Sequence, residues 1–222
     1  MTLVAAHFIE DKLAVVTDGA GASHAKCGVF AQHGAIVAGW GEYDAPPTFL
    51  CLPPSDAPTG LQAVVRANNI AGTLPDPKIC RDNFITAFEH ELNNSPNVHN
   101  GGRGPAGLLL AFAYDCGIEA IVYDANSGKG SWKPRPGALP WPAFFGQDYH
   151  ARDMLSGIGI SSPTEFIGSV ASINEFAAKA KDLIVKTSDY LSNKPLPKSV
   201  DLPAWLTVLS KDGSVAMPKQ VA

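Results

Sequence analysis

The sequence predicts one domain spanning residues 1–222, of mixed α+β class, with two antiparallel sheets packed face to face and helices covering them. Three observations predict it. Short apolar runs separated by tight turns fill the first forty residues. A helical stripe followed by two more strands occupies the middle, and two capped helices and a closing strand make up the last third. The order strands, helices, strands, helices, strand differs from the regular β-α alternation of a parallel sheet.

Taken in order, Thr2–Phe8 is an apolar strand, Glu10-Asp11-Lys12 a polar turn, and Leu13–Thr17 a β-branched strand that stops at Asp18-Gly19-Ala20-Gly21. Cys27–Ala31 and Ala35–Ala38 flank Gln32-His33-Gly34, a hairpin pattern with glycine at the special turn position. The opening therefore predicts an antiparallel meander. Residues Asp44–Pro58 carry five prolines and predict an irregular connection. Helices are expected over Gly60–Ala71 and Cys80–Leu92, the second with Phe84, Ile85, Phe88 and Leu92 on one stripe. After the polar loop Asn93–Pro105, strands Gly107–Tyr114 and Glu119–Asp124 flank Asp115-Cys116-Gly117. Asn126–Pro142, with four prolines and two tryptophans, predicts another loop. Ser162-Pro163-Thr164-Glu165 and Ser172-Ile173-Asn174-Glu175 are capping boxes, and Ile173, Phe176, Ala177, Ala180 and Ile184 form one apolar face behind the second. Trp205–Leu209 is the last expected strand, ending at Ser210-Lys211-Asp212-Gly213.

Composition narrows the function classes. A chain of 222 residues can bury a substantial core without metals or cross-links, and 45% hydrophobic against 17% charged residues places it with globular proteins. A formal net charge of −4 without Lys/Arg runs argues against a nucleic-acid partner. The longest apolar stretch, around Ala106–Tyr114, is too short to span a bilayer. Met1-Thr2-Leu3-Val4 runs straight into a strand pattern with no basic segment or signal-peptide core, so a cytoplasmic location is expected. Cys27, Cys51, Cys80 and Cys116 form no C-x-x-C pair and are expected to be free thiols. The six histidines show no metal spacing, and Gly101-Gly102-Arg103-Gly104 lacks the Gly-Lys-Ser/Thr of a phosphate loop. No metal and no cofactor are expected.

The element order and several short motifs resemble the β-type subunits of proteasomes, including the simpler bacterial ring proteases, over roughly Thr2–Asp44 and Pro105–Gly213. Thr2-Leu3-Val4-Ala5-Ala6 is similar to the family's mature N-terminus behind a single methionine, and Ala14-Val15-Val16-Thr17-Asp18 to its second strand ending in aspartate, at the same distance from the threonine. Lys26 falls where the family places its catalytic lysine, after a much shorter loop. Ala38-Gly39 matches the strand end whose glycine N–H helps form the oxyanion hole, and Asp189-Tyr190-Leu191-Ser192 matches the family's D-x-x-S. One departure is clear: Gly146-Gln147-Asp148 stands where the family carries Gly-Ser-Gly.

The resemblance implies a four-layer α-β-β-α N-terminal-nucleophile hydrolase fold and a threonine-type peptidase, with Thr2, Asp18, Lys26, Gly39, Asp189 and Ser192 as its catalytic set. A threonine hydroxyl needs a base, and an N-terminal threonine carries one, its α-amine, with a reference pKa of roughly 7.7–8.0. With Met1 attached that nitrogen is an amide, so removal of one residue would switch the site on. Lys26 would supply positive charge beside the hydroxyl, Asp18 would orient the lysine, the Gly39 N–H would stabilise the oxyanion, and Asp189 and Ser192 would support the amine. Lys12 is the next candidate lysine.

The implied substrate is a peptide or unfolded protein. The implied assembly is a homo-oligomeric ring, and any ATPase partner is unspecified. A single sandwich core is expected not to bury all of Phe84, Ile85, Phe88, Phe166, Ile167 and Phe176, which would leave some between subunits. The alternatives are a catalytically silent, proteasome-like ring subunit and a small-molecule amidase of the same fold.

Overall fold

The computed structural model describes residues 2–19, 26–30, 34–40, 77–93, 107–114, 117–126, 131–195 and 200–222. Met1, the expected helix Gly60–Ala71 and the proline-rich segment Asp44–Pro58 lie outside these residues. Among the described residues, ten strands form two five-stranded antiparallel sheets. The first sheet contains β1 (Leu3–Ile9), β2 (Lys12–Thr17), β8 (Ala143–Gly146), β9 (Trp205–Ser210) and β10 (Val215–Gln220), in the order β10-β9-β2-β1-β8. The second runs β3-β4-β5-β6-β7 from Cys27–Phe30, Ala35–Trp40, Gly107–Tyr114, Gly117–Asn126 and Ser131–Pro134. The helices are α1 (Pro77–Asn93), α2 (Asp148–Ser156), α3 (Pro163–Ile167) and α4 (Ile173–Ser192).

Three apolar clusters fix the layering. Between the sheets, Val4, Ala6, Leu13 and Val15 of the first meet Ile36, Ala38, Leu109 and Ala111 of the second. On the outer face of the first sheet, Leu3, Ala5, Ala14 and Val16 pack against Phe176, Ala180 and Ile184 of α4 and Leu155 of α2. On the outer face of the second, Ala35, Val37, Leu108 and Leu110 pack against Phe84, Phe88 and Leu92 of α1. The central strands are thus buried on both faces, which is why β1, β2, β4 and β5 read as continuous apolar runs and not as polar–apolar alternation.

Several expectations are corrected. The opening is not one meander: β1 and β2 pair in the first sheet, β3 and β4 in the second. The expected loop Asn126–Pro142 contains β7, and strands β8 and β10 and helix α2 lie where no element was expected. Of the six apolar residues expected to be too many for one core, four are covered within the chain. Phe84, Phe88, Ile167 and Phe176 are buried, and Ile85 and Phe166 pack partly buried against the cores. Four of the six face the helix-covered outer faces of the two sheets, in cores separate from the one between the sheets.

Both capping boxes form. Ser162 Oγ accepts from the Glu165 N–H at 3.1 Å and Ser172 Oγ from the Glu175 N–H at 3.2 Å. The glutamates reach back one residue further than the caps, to the N–H groups of Ser161 and Ala171. No helix of the described residues is long and apolar enough to cross a membrane.

Candidate active site

Thr2 stands immediately before β1, which lies between β2 and β8, and it is only 4% exposed. Its carbonyl accepts a hydrogen bond from the Gln147 N–H at 2.9 Å, extending the β1–β8 ladder in which Leu3 pairs with Gly146. Gly146 adopts φ +81°, and a Cβ there would lie 2.0 Å from the Thr2 carbonyl oxygen and 2.8 Å from Trp40 Cβ. Only glycine allows both the left-handed conformation and this approach. Of Gly146-Gln147-Asp148, the segment that departs from the Gly-Ser-Gly of the family the sequence resembles, the glycine has a structural demand behind it.

On the other side of β1, Val4 pairs with Thr17, which sets Asp18 beside Leu3. The Asp18 N–H donates to the Leu3 carbonyl at 3.3 Å, and the Leu3 N–H donates to Asp18 Oδ1 at 3.0 Å. That N–H belongs to the Thr2–Leu3 peptide bond, so the carboxylate is held one peptide unit from the Thr2 backbone. Asp18 is fully buried. Lys26 Nζ lies 3.4 Å from each of its oxygens, and the Asp201 N–H reaches Oδ2 at 3.4 Å. The Coulomb attraction of such a pair is about 5 kcal/mol before desolvation at an effective dielectric near 20. The added N–H donors offset the cost of burying the carboxylate. Lys26 is positioned from its own backbone too, its N–H donating to Thr17 Oγ1 at 3.4 Å. Lys12, the next candidate lysine, opens β2 at the end of the strand away from Asp18.

Three of the expected residues, Thr2, Asp18 and Lys26, are therefore brought to one place. Gly39 is brought near as well, but its N–H donates to the Lys26 carbonyl at 3.3 Å as part of the β3–β4 pairing. In this conformation the N–H expected to serve the oxyanion is already engaged by that carbonyl. Asp189 and Ser192 do not join the site. They are exposed on α4, where Asn193 Nδ2 donates to the Asp189 carbonyl and Ser192 Oγ donates to the Ser188 carbonyl. The physical reason is helical phase. The buried stripe of α4 runs through Ile184, Ser188 and Leu191, and one residue further turns Asp189 and Ser192 about 100° away from it.

The residues that hold Asp18 from the C-terminal side are Asp201 and Ser188. Ser188 Oγ donates to Asp201 Oδ1 at 3.1 Å, and the Gly19 N–H donates to the Asp201 carbonyl at 2.9 Å. The signal for Ser188 was present in the sequence, a serine in phase with Ile184 and Leu191 on an apolar stripe, where a buried hydroxyl requires a partner. Nothing local marks Asp201. Asp148, the carboxylate that departs from the family pattern, is drawn to Arg152 one helical turn on, at 3.0 Å.

A cavity of about 300 Å³ opens beside Gly146, lined among others by Trp40, Leu139, Pro142, Phe145, Arg135 and Arg152. Trp40 and Phe145 stack at 4.8 Å, and the Arg135 guanidinium lies 5.8 Å from the Phe145 ring. The larger cavity, about 640 Å³, lies between the N-terminus of α4 and strands β9 and β10 and contains none of the residues around Asp18. Among the described residues no three His, Cys, Asp or Glu side chains gather as metal ligands would. Cys27 is a free buried thiol; Cys51 and Cys116 and the side chain of Cys80 lie outside the described residues.

No family model matches this sequence, and no curated protein matches it. The class of chemistry therefore rests on the geometry. A fully buried carboxylate that accepts from the first peptide N–H of a central strand and pairs with a lysine can tune a nucleophile at the strand's beginning.

Proposed function

We propose that this protein is a threonine-type amide hydrolase of the N-terminal-nucleophile class, with the four-layer fold of that class, acting on peptides or unfolded protein once Met1 is removed. One observation carries the reading: the amide of the Thr2–Leu3 bond is hydrogen-bonded to a buried Asp18 that is itself paired with Lys26. In this reading the freed Thr2 amine takes the proton from the Thr2 hydroxyl, which attacks the substrate carbonyl. Lys26 keeps positive charge beside the amine and disfavours its protonation. The C–N bond of the substrate then breaks, the departing amine takes the proton held by the Thr2 amine, and water hydrolyses the ester that remains, returning the hydroxyl to Thr2 and releasing the acid. The oxyanion donor has to be freed when substrate binds, by a small shift of Gly39 away from the Lys26 carbonyl. We further place the protein in the cytoplasm as a homo-oligomeric ring, a form that would keep folded proteins from the nucleophile. Head-to-tail contacts that close produce such rings.

The second reading, a catalytically silent ring subunit, is favoured by the engagement of the Gly39 N–H with the Lys26 carbonyl. The intact mass of protein purified from cells containing methionine aminopeptidase tests the choice. A chain beginning at Thr2 that cleaves peptides supports the hydrolase. A uniform population retaining Met1 sinks it and promotes the silent subunit. Light scattering at micromolar concentration tests the ring. At least six subunits are expected, and a monomer or dimer would remove the chamber and turn attention to a small-molecule amidase.

A further inference from the structure

Asp18 is reached from two directions. From the N-terminal side come the Leu3 N–H and Lys26. From the C-terminal side comes residue 201, which exchanges two hydrogen bonds with the end of β2: its N–H donates to Asp18 Oδ2 at 3.4 Å, and its carbonyl accepts from the Gly19 N–H at 2.9 Å. The contact is close-packed, since a Cβ on Gly19 would lie 2.6 Å from Pro203. The orientation of the 201 backbone is set by its own side chain. Asp201 Oδ1 accepts from Ser188 Oγ at 3.1 Å and from the Leu202 N–H at 2.9 Å.

Ser188 is buried, and it is the hydroxyl of α4 that leaves the helix for another element. Its neighbour Thr187 bonds back to the Leu183 carbonyl at 2.7 Å, and Ser192 bonds back to Ser188. The chain of contacts thus runs from the long helix, through Ser188 and the Asp201 carboxylate, to the Asp201 N–H and the Asp18 carboxylate that holds Lys26.

We infer that Asp201, anchored by Ser188, is a positioning residue for the Asp18–Lys26 pair, coupling helix α4 to the site. The inference rests on the hydrolase reading for its kinetic consequence, but not for its structural one. Neither residue touches the reacting atoms. Their effect passes through the direction of one backbone N–H, which fixes the carboxylate rotamer and hence the place of the Lys26 ammonium.

The experiment combines amide hydrogen exchange with peptidase kinetics on the full chain, using Ser188→Ala, Asp201→Ala and Asp201→Asn. The asparagine keeps an oxygen acceptor for Ser188 and Leu202, while alanine removes it. In Ser188→Ala and Asp201→Ala, exchange of the Gly19 and Asp201 amides is expected to quicken about tenfold, and that of Leu3, whose N–H donates to the same carboxylate, to quicken with them, while the amides of the β4–β5 ladder are unchanged. In both, kcat falls about tenfold, the rate equivalent of one buried hydrogen bond, with KM unchanged, because the pair acts on the transition state and not on substrate binding. Asp201→Asn restores both readouts. Unchanged exchange in Ser188→Ala overturns the inference. So does an Asp201→Asn variant as impaired as Asp201→Ala, which would make charge and not position the cause. So does faster exchange with undiminished kcat. If the wild-type chain, processed to Thr2, cleaves no peptide, the hydrolase reading fails, and the exchange pattern alone decides whether α4 holds Asp18.

Discussion

The Lys26 ammonium sits symmetrically on Asp18, 3.4 Å from each carboxylate oxygen, with the lysine side chain 15% exposed and the aspartate fully buried. Opposite charges so arranged attract, and removing one leaves the other without its counter-charge in a buried place. Asp18→Ala is therefore expected to cost about 3–5 kcal/mol of stability. Asp18→Asn, which keeps acceptors for the Leu3 and Asp201 N–H groups, should cost visibly less. Urea unfolding of the two variants and the wild type checks the ranking; equal losses would mean the pair is not what organises this end of the sheet.

Thr2→Ala is expected to abolish amide hydrolysis while the protein stays folded. The substitution removes a hydroxyl and a methyl at the edge of the core, so the stability loss should stay near 1 kcal/mol. Activity above about a tenth of wild type, roughly 1.4 kcal/mol of barrier, would place the nucleophile elsewhere. Lys26→Ala should be nearly as damaging to turnover.

Gly146→Ala has two costs. Alanine is strained at φ +81°, and its methyl would need the space of the Thr2 carbonyl oxygen 2.0 Å away. The expected outcome is destabilisation of more than about 2 kcal/mol together with loss of activity, because β8 can move only by displacing Thr2. Thermal unfolding and a peptide assay on the same sample check this. A folded, active Gly146→Ala protein would show that Thr2 is not held by β8 as described.

Burial between the sheets pushes the Cys27 thiol up to about 12 from its usual 9.0. The raised value means that the folded state favours the neutral thiol. The associated stability is fully present below about pH 9 and is lost as pH rises toward 12. Cys27→Ala should show a flatter decline of unfolding free energy over that window, measured by urea titration at several pH values. In the native protein at pH 8 the thiol should resist iodoacetamide, and rapid labelling would show that the inter-sheet core is open at β3.

His7 has the opposite sign. It lies on the helix-facing side of β1 with its ring 5.5 Å from Phe176, and burial lowers its pKa below the usual 6.5. A depressed value favours the neutral imidazole in the folded state. Its contribution is present above about pH 6.5 and is lost as pH falls through the folded pKa. His7→Leu should therefore be less sensitive than wild type between pH 7 and pH 5. An identical acid profile for the two proteins would exclude His7 as a source of that sensitivity.

What the sequence determined by itself is local. The period-2 and continuous apolar runs of β1, β2, β4, β5, β6 and β9, the stripe of α1 and the capping boxes of α3 and α4 are all interactions within a few residues, and each is legible in order along the chain. Thr2, Asp18 and Lys26 could be named as candidates from the sequence because each flanks one of those early strands, Thr2 before β1, Asp18 after β2 and Lys26 before β3. Tertiary structure decided the rest. That β2 and the β3–β4 hairpin belong to different sheets depends on the pairing of β2 with β9 and of β4 with β5, far away in the chain, and no local pattern encodes a partner. The short strands β7 and β8 carry prolines and glycine and become strands because β6 and β1 offer free edges. The choice of Ser188 over Ser192 follows from which face of α4 the sheet covers. Asp201 reaches Asp18 because β9 lies beside β2 and so delivers residue 201 there, across 183 positions of chain. A hydrogen bond at that separation is written in the packing of the strands and not in the sequence around either residue.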